Sequence, residues 1–275
     1  MSAGGAAVEA AEHERYVNPS LALVTGSSRG IGRSLAQVLA EQRYDLYLVA
    51  DEAEVYDVGQ EFADAHGVQV VSRQLELTDP EDVETLATEL RAASTPLSVA
   101  ALNAGVIVNG AFLETAVNEH LRLVDVNCRA TVHVAGAVVP LLVDNGGRLL
   151  ITSSVAASAP NPYQATYGAS KAFLSSFAGA LRHEVQRQGV TVTTLLPGPT
   201  DTAMLSTGSA ARTRIAQGPK SDPDEVAREA YDATAAGRPS VISGGAASTL
   251  QVLLGNMLPE RVLAAVTAPF TRPRR

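Results

Sequence analysis

Two side chains that could exchange a proton with a substrate stand about one helical turn apart. Tyr167 and Lys171 are four residues apart at the start of a predicted helix that runs to about Glu184, so they share one helix face. A lysine ammonium beside a phenol favours the phenolate and lowers the tyrosine pKa from its usual value of about 10. Such a tyrosine can give and take a proton nearer neutral pH. The same spacing also occurs on helices that carry out no chemistry.

Ser154 places a hydroxyl next to this pair. It follows a predicted strand over residues 148–152 and lies thirteen residues before Tyr167. At the end of a strand, its hydroxyl could hold the oxygen of a carbonyl group. The three side chains together would suit proton transfer to and from a bound carbonyl oxygen.

A glycine-rich turn follows the first predicted strand directly. The run 25–32 reads TGSSRGIG, with Gly26, Gly30 and Gly32 in the spacing Gly-x-x-x-Gly-x-Gly, and a helical pattern comes next. Glycines let such a turn be tight and let its backbone approach a pyrophosphate, while the helix amino end offers unpaired N–H groups. The spacing differs from the Gly-x-Gly-x-x-Gly of the standard dinucleotide fingerprint. A plain loop is the alternative, which the flanking strand and helix make less favoured.

A second short loop, Asn103-Ala104-Gly105, follows the fourth predicted strand. An asparagine there can tie neighbouring strand ends together, and the two small residues leave room for a cofactor. Asparagine and glycine are also ordinary turn residues, so the triplet predicts little by itself.

The elements that must position these residues alternate between strands and helices. Most strand candidates are continuous apolar runs, as expected for strands covered on both faces, and they span residues 21–25, 45–49, 68–74, 99–102, 148–152, 191–196 and 240–242. Asp79-Pro80 and Asp222-Pro223 predict capped helix starts. The alternation predicts an α/β fold with a doubly wound parallel sheet of about seven strands. Ligands of such sheets bind at the carboxyl ends of the strands, where the motifs above fall.

The chain shows no internal repeat and no linker, so it predicts one domain over residues 19–275. Residues 1–18 are rich in Ala, Gly and Glu, and we expect them to form a flexible N-terminal tail.

The composition of the 275-residue chain argues against several classes of protein. Its net charge of −8 disfavours nucleic acid as a partner, because phosphate binding depends on clustered Lys and Arg. Its single cysteine, Cys128, rules out an internal disulfide framework, and its five histidines lack metal-ligand spacing, so no metal site is predicted. The N-terminus has no signal-peptide pattern, and no apolar run approaches the roughly 20 residues of a membrane span. We therefore expect a cytoplasmic protein.

Taken together, the motifs resemble those of the classical short-chain dehydrogenase/reductase family. The resemblance extends from about Leu21 to the C-terminus. It rests on motifs in the family's order and approximate spacing, namely Thr25-Gly26-x-x-x-Gly30-Ile31-Gly32, Asn103-Ala104-Gly105, Asn127, Ser154, Tyr167-x-x-x-Lys171 and Pro197-Gly198. It implies a single-domain Rossmann-type fold, a nicotinamide cofactor and reversible carbonyl–alcohol chemistry on a small-molecule substrate.

The resemblance also implies a role for each residue of the reacting centre. Tyr167 would be the general acid in reduction and the general base in oxidation, and Ser154 would orient the substrate oxygen. Lys171 would hold the nicotinamide ribose and lower the tyrosine pKa, while Asn127 would support a water in a proton relay behind Lys171. Asn127 also fits an inert polar position inside a helix that begins near Asn118.

The residues that the resemblance assigns to cofactor contact lie mainly in the loops after the strands. They are Gly26, Ser28, Arg29, Gly30, Ile31, Gly32, Asp51, Glu76, Leu77, Asn103, Ala104, Gly105, Tyr167, Lys171, Pro197, Gly198, Thr200 and Thr202. Two positions depart from the family pattern. Glu76 replaces an aspartate that commonly meets the adenine amino group, and Leu102 replaces the first asparagine of Asn-Asn-Ala-Gly.

The residues near the adenosine ribose favour NAD slightly over NADP. NAD-dependent members of the family place an acid at the position of Ala50, and NADP-dependent members often have arginine at the next position, which is Asp51 here. A carboxylate there can accept hydrogen bonds from a ribose and repels a 2′-phosphate. Arg29 in the glycine turn favours NADP instead.

The C-terminal half of the sequence indicates only the general class of the substrate and of the oligomer. Residues 203–220 match the family's variable substrate loop, which we expect to be a mobile lid. Residues 247–275 resemble an apolar C-terminal extension that could pack on the domain or on a dimer partner, or roof an apolar pocket; membrane contact is less favoured. We expect an apolar or medium-sized ketone or secondary alcohol as substrate. The family implies a homodimer or homotetramer, with contact through the helices after the fourth and fifth strands.

Two other functions are compatible with the same motifs. A protein that senses the nicotinamide pool without turnover would bind the cofactor, but it has no need of Ser154, Tyr167 and Lys171. An isomerase or dehydratase on the same fold would regenerate its cofactor and leave the amount of reduced nicotinamide unchanged.

Overall fold

The computed structural model of the protein describes residues 20–255 and 257–273, so the tail predicted over residues 1–18 lies outside the described residues. Its centre is one parallel sheet in the order β3-β2-β1-β4-β5-β6-β7. The strands are β1 (Leu21–Thr25), β2 (Asp45–Ala50), β3 (Val70–Gln74), β4 (Leu97–Leu102), β5 (Arg148–Thr152), β6 (Thr191–Pro197) and β7 (Ser240–Ser243). The predicted seven-stranded, doubly wound sheet is confirmed.

Helices connect the strands and cover both faces of the sheet. They are α1 (Gly30–Glu41), α2 (Glu54–His66), α3 (Pro80–Ala92), α4 (Val117–Val124), α5 (Thr131–Asn145), α6 (Ala165–Val185), α7 (Ala203–Ser206), α8 (Arg214–Gln217), α9 (Pro223–Ala235), α10 (Gly245–Gly255) and α11 (Glu260–Thr271). The two predicted caps are present, since Asp79 accepts the N–H of Glu81 at 2.9 Å and Asp222 accepts that of Asp224 at 2.9 Å.

The apolar core is divided by the sheet into two clusters. One face packs against α1, α2 and α9, with Phe62 and Leu35 among its fully buried side chains. The other face packs against α3, α5 and α6, with Leu86, Leu142 and Leu174 buried there. Because side chains alternate between the faces of a strand, burial on both sides explains why the strands read as continuous apolar runs.

One sequence-based expectation about apolar segments is wrong. The helical stretch Val117–Asn145 is long and apolar enough, by length and composition, to cross a membrane. Five charged residues lie in this stretch, and uncharged polar residues such as Thr131 interrupt it further, so the sequence shows no continuous apolar run there. In the fold, α5 packs against β4 and α3 and buries Val134, Val138 and Leu142, which makes it part of the helical layer over the sheet.

Candidate active site

The glycine turn lies at the carboxyl end of β1, where its backbone is packed too closely for larger residues. Gly26 has a φ of +66°, and a Cβ at this position would lie 2.9 Å from the Cα of Ala104. A Cβ at Gly32 would lie 2.0 Å from the carbonyl oxygen of Gly26. Glycine is therefore required at both positions to bring the turn, the amino end of α1 and the loop after β4 together.

The carboxyl ends of β1 and β4 are joined by side-chain hydrogen bonds at the point where the strand order reverses. The hydroxyl oxygen of Thr25 accepts the N–H groups of Asn103 at 3.0 Å and Ala104 at 3.1 Å. The amide of Asn103 also donates to the carbonyl oxygen of Gly26 at 3.5 Å. The sequence predicted that the side chain of Asn103 joins these strand ends. Its contact is the longest of the three, and the two shorter hydrogen bonds are accepted by Thr25.

A cleft runs along this edge of the sheet and contains most of the predicted cofactor contacts. Those that line it are Gly26, Ser28, Arg29, Gly30, Ile31, Asp51, Glu76, Leu77, Asn103, Ala104, Gly105, Tyr167, Lys171, Pro197 and Thr202. Gly32, Gly198 and Thr200 do not line it. A Cβ at Gly198 would meet the hydroxyl of Ser248 at 2.1 Å, and the hydroxyl of Thr200 donates to the carbonyl oxygen of Gly198 at 3.0 Å. These three residues shape the loops behind the cleft.

The glycine-lined wall of this cleft has the features that a dinucleotide requires. Backbone stands where side chains would otherwise fill the space, and the amino end of α1 faces the same cleft. The residues present therefore fit a nicotinamide dinucleotide.

Charged side chains are paired at the end of the cleft where the sequence predicts the adenosine ribose. Arg29 forms an ion pair with Glu52, and the hydroxyl of Ser28 donates to the same carboxylate at 2.8 Å. Asp51 lies 3.9 Å from the guanidinium of Arg122, and both side chains are more than half exposed. Glu52 was not singled out from the sequence, although an acid two residues after a strand end was visible there. Its position means that Arg29 is not a free cation at this end of the cleft.

The reacting centre brings Tyr167 and Lys171 to one face of α6, as their spacing predicted. The ammonium of Lys171 lies 5.8 Å from the centre of the Tyr167 ring and donates to the carbonyl oxygen of Thr152 at 3.0 Å. Ser154, at the end of β5, is buried, and its hydroxyl oxygen accepts the N–H of Ala156 at 3.1 Å. That contact uses an oxygen lone pair and leaves the hydroxyl proton able to donate.

The electrostatics of this centre differ from the expectation for the tyrosine. Burial raises the pKa of Tyr167 above its usual value, and a hydrogen bond with Ser154 opposes that rise. Burial also lowers the pKa of Lys171 to about 8, with an opposing contribution from Cys128. The predicted lowering of the tyrosine pKa by lysine is thus not observed, because burial disfavours both charged forms.

Asn127 holds the loop after β4 against the helix that carries it. Its side chain is fully buried, accepts the N–H of Val106 at 2.8 Å and donates to the carbonyl oxygen of Val106 and the hydroxyl of Ser170, each at 3.0 Å. The helix widens to a π-helical turn over Asp125–Ala130, a feature common at functional sites. A Cβ on Gly105 would lie 3.2 Å from the amide oxygen of Asn127 and 3.4 Å from the Lys171 nitrogen. Asn127 therefore joins the loop after β4 to α6 next to Lys171.

Cys128, the single cysteine of the chain, lies beside Asn127 in the same helix. Its thiol is partly buried, 4.0 Å from the carbonyl oxygen of Ser170. Burial raises its pKa, with nearby Lys171 opposing the rise, so burial disfavours the thiolate.

The segment over residues 203–220 contains α7 and α8, two short helices, and it is anchored at several points. Ala210 and Thr213 are buried, and the hydroxyl of Ser209 donates to the carbonyl oxygen of Asn109. Ala203 and Met204 line the cleft. Val106 and Val126 also line it, although they belong to none of the sequence motifs.

The C-terminal helices α10 and α11 pack on the loop after Ser154 through only part of their surface. Leu263 and Thr271 are buried. Many of their apolar side chains, and those of the turn between them, are exposed, namely Leu250, Leu253, Leu254, Met257, Leu258, Val262, Val266 and Phe270. Packing on the domain therefore accounts for part of the predicted extension.

The buried ammonium of Lys171 predicts a measurable effect on stability. At pH 7 the folded state must bury a charge that the unfolded state leaves in water, so we expect Lys171→Met to raise the free energy of unfolding by about 1–3 kcal/mol. Between the folded pKa of Lys171, about 8, and the unfolded value of 10.5, the unfolded chain binds more protons than the folded one. The free energy of unfolding of wild type therefore rises with pH over this range as the buried ammonium loses its charge. The difference should therefore shrink between pH 8 and pH 10.5.

Denaturant unfolding of both proteins across this pH range measures the difference. Lys220→Met is the control, because Lys220 is the other lysine of the chain and pairs with Asp201; the two side chains are 22% and 63% exposed, so this ammonium is less buried than that of Lys171. A Lys171→Met protein less stable than wild type at every pH would show that burial does not penalise the ammonium.

Comparison with known proteins identifies relatives among the short chain dehydrogenases. The family model of the short chain dehydrogenases matches residues 20–213. The glycine betaine reductase ATRR of Emericella nidulans is 32% identical over 213 residues, which cover 75% of this chain but only 17% of that protein. The 3-oxoacyl-(acyl-carrier-protein) reductase of Escherichia coli is 30% identical over 185 residues, covering 67% of this chain and 75% of that enzyme.

Solved structures with the same fold come from the same family. A short-chain dehydrogenase from Sphingobium yanoikuyae in complex with NADPH is 29% identical, with a TM-score of 0.76 over 86% of this chain and 92% of the other. A bulky-bulky ketone specific alcohol dehydrogenase from Comamonas testosteroni is 26% identical, with a TM-score of 0.73 over 85% and 90% of the two chains. The chain therefore belongs to the short-chain dehydrogenase/reductase family, as its motifs indicated.

Proposed function

We propose that this NAD(P)-dependent oxidoreductase transfers a hydride between nicotinamide and an apolar carbonyl or secondary alcohol substrate, with Tyr167 as general acid and base. The observation that carries the proposal is that Tyr167 and Lys171 line the same cleft as the glycine turn, while Ser154, behind the lining, hydrogen-bonds with Tyr167. A sensor of nicotinamide would need the glycine turn alone.

The nicotinamide supplies the hydride when it is bound, and the chain's own residues handle the proton. The hydroxyl of Ser154, which hydrogen-bonds with Tyr167 in this structure, can donate its proton to the carbonyl oxygen of a substrate, since the contact with Ala156 uses only an oxygen lone pair. The phenol of Tyr167 donates the proton in reduction and accepts it in oxidation. Its raised pKa keeps it protonated, which suits the reducing direction, and its hydrogen bond with Ser154 favours the phenolate needed in oxidation.

Removal of the Tyr167 hydroxyl tests this assignment. We expect Tyr167→Phe to lower kcat by about 10²–10⁴-fold, because general acid–base catalysis is lost, while the dissociation constant for NADH changes less than about twofold. Steady-state kinetics on a panel of apolar ketones and a fluorescence titration with NADH measure the two quantities.

Tyr56→Phe is the matched control, because Tyr56 is 49% exposed on α2 and does not line the cleft. Unchanged turnover in Tyr167→Phe would contradict the catalytic role. Cofactor binding without any turnover in wild type would favour the sensor. Substrate conversion without a net change in NADH would favour an isomerase or dehydratase.

For the cofactor we infer a preference for NAD over NADP, from the charges at the ribose end of the cleft. Glu52 pairs with Arg29, the residue that would otherwise attract a 2′-phosphate, and Asp51 adds a second carboxylate. Arg122 offsets part of the charge of Asp51. The dehydrogenase of Sphingobium yanoikuyae binds NADPH, so the preference rests on these residues of this chain and not on its relatives.

Substitution of Glu52 tests this preference. We expect wild type to bind NADH more tightly than NADPH, and Glu52→Gln to shift the ratio of the two dissociation constants about tenfold toward NADPH, because Arg29 becomes free to pair with a phosphate. Glu54→Gln, at the exposed start of α2, is the control and should leave the ratio unchanged. Tighter binding of NADPH by wild type would contradict the NAD preference, and an unchanged ratio in Glu52→Gln would contradict the role given to its ion pair.

An apolar substrate is supported by the lining of the cleft near Tyr167. Val106, Ala203 and Met204 are apolar, and the segment that carries the last two is our candidate for the mobile lid. Among the relatives, one enzyme is specific for bulky ketones and another reduces 3-oxoacyl chains attached to a carrier protein, as their names state. These relatives support a hydrophobic ketone as the first class to test.

We also propose a homo-oligomer that associates through α4 and α6, the helices expected to form the contact. Val117, Leu121 and Val124 are exposed on α4, and Phe173 is exposed on α6, where it stacks on Phe177. Such a cluster of exposed apolar side chains is typical of an interaction surface. We further propose that residues 19–275 form one domain and that the protein is cytoplasmic.

Charge introduced into this surface tests the oligomer. We expect wild type to be a dimer or tetramer by native mass spectrometry at micromolar concentration, and Leu121→Glu to be mainly monomeric, because a carboxylate would be buried in the contact. Tyr56→Glu, on the exposed face of α2, should keep the wild-type mass. A monomeric wild type, or an unchanged mass in Leu121→Glu, would refute this contact.

A further inference from the structure

The segment that leads into the first turn of α6 is strained. Tyr163 has a φ of +65°, in the left-handed region that a bulky side chain rarely adopts, and it lies four residues before Tyr167. Such a conformation persists only where the surrounding structure holds it in place. The contacts of this segment therefore show what determines its shape.

Those contacts come from the loop after β4 and from the C-terminal helix α11. The carbonyl oxygen of Tyr163 accepts the N–H of Gly110 at 2.8 Å. The carbonyl oxygen of Pro162 lies 2.6 Å from the hydroxyl of Thr271, closer than the 3.1 Å between that hydroxyl and the carbonyl oxygen of Thr267 in its own helix. The guanidinium of Arg272 lies over the Tyr163 ring, 5.6 Å from its centre.

A pair of buried amide side chains completes the connection. Gln164, the residue directly before α6, donates from its side-chain amide to the amide oxygen of Asn109. The amide nitrogen of Asn109 donates in turn to the carbonyl oxygen of Thr271 at 3.2 Å. Gln164, Asn109 and Thr271 are each less than 10% exposed, so water cannot readily replace these partners.

Tyr167 is the third residue of α6, within the turn that depends most on these contacts. The first N–H groups of a helix have no partner inside it, so the direction of the first turn follows from the segment that enters it. Lys171 lies one turn further and is held independently by the carbonyl oxygen of Thr152. A shift of the entering segment would therefore move Tyr167 relative to Lys171 and Ser154.

We propose that Thr271 and Asn109 are positioning residues, through which the C-terminal helix α11 sets the place of the Tyr167 hydroxyl in the reacting centre. This helix lies beyond residues 20–213, the part that the family model matches, whereas Asn109 lies within that part. The inference rests on the proposed function of Tyr167. Neither residue lines the cleft, so neither touches the cofactor there.

Substitution of Thr271 separates positioning from general stability. We expect Thr271→Val to lower kcat about tenfold, because misplacement of a catalytic group by a fraction of an ångström is costly, with KM and the dissociation constant for NADH within about twofold of wild type. The apparent pKa for alcohol oxidation should rise, since Tyr167 moves relative to Ser154, whose hydrogen bond opposes the rise in the tyrosine pKa. Thr271→Ser, which keeps the hydroxyl, should restore kcat.

The matched control is Thr249→Val on α10, because Thr249 is exposed and its hydroxyl donates only to a carbonyl oxygen of its own helix. A wild-type kcat and pH profile in Thr271→Val, whether or not its melting temperature falls, would overturn the proposal. Asn109→Ala breaks the same connection from the other side and decides the matter if Thr271→Val does not fold. Combined with Thr271→Val, it should add little further loss, because both belong to one chain of contacts.

Hydrogen exchange gives a readout that does not depend on turnover. We expect amides of residues 160–172 to exchange faster in Thr271→Val than in wild type, and to be unchanged in Thr249→Val. If wild type shows no nicotinamide-linked turnover, the proposed function fails, and this measurement still tests the contact. Unchanged exchange over residues 160–172 would refute the positioning role.

Discussion

The parallel direction of all seven strands is the constraint on which the site depends. It brings the carboxyl ends of β1, β4 and β5 to one edge of the sheet, although the loops that follow them are far apart in sequence. Thr25 then joins the first two ends, because its hydroxyl oxygen accepts two N–H groups of the loop after β4. The glycine turn and the reacting centre thereby keep a fixed separation, which a ligand that spans both requires.

At this edge of the sheet, the polar side chains of the site are buried away from water and are held by hydrogen bonds to protein groups. Lys171 keeps its ammonium in a place where burial disfavours charge, with the carbonyl oxygen of Thr152 as its partner. Asn127 has its amide satisfied by the backbone of Val106 and the hydroxyl of Ser170, so it rigidifies the site without an unpaired polar atom of its own. This arrangement is typical of active sites, in which stability is given up so that groups stand ready for reaction.

The sequence predicted what local patterns control and missed what distant contacts control. Strands, caps and the glycine turn follow from apolar runs, Asp-Pro pairs and close backbone approach, and each lies where it was expected. The pKa direction of Tyr167 was not predictable, because spacing along a helix does not reveal burial. The ion pair between Arg29 and Glu52 joins two separate loops, and the contact of Thr271 with Pro162 joins residues 109 positions apart, so neither leaves a periodic signal.

The small number of lysines makes the chain suited to selective chemical modification of an amine. It contains only two, Lys171 and Lys220, since its remaining basic residues are arginine and histidine. With a pKa of about 8, roughly a tenth of the Lys171 side chains carry an uncharged, nucleophilic amine at pH 7. Lys220 is engaged with Asp201. Amine acylation therefore has very few side chains to modify, and one of them lies in the cleft, so the rate at which a small acylating reagent modifies Lys171 reports directly on access to the reacting centre.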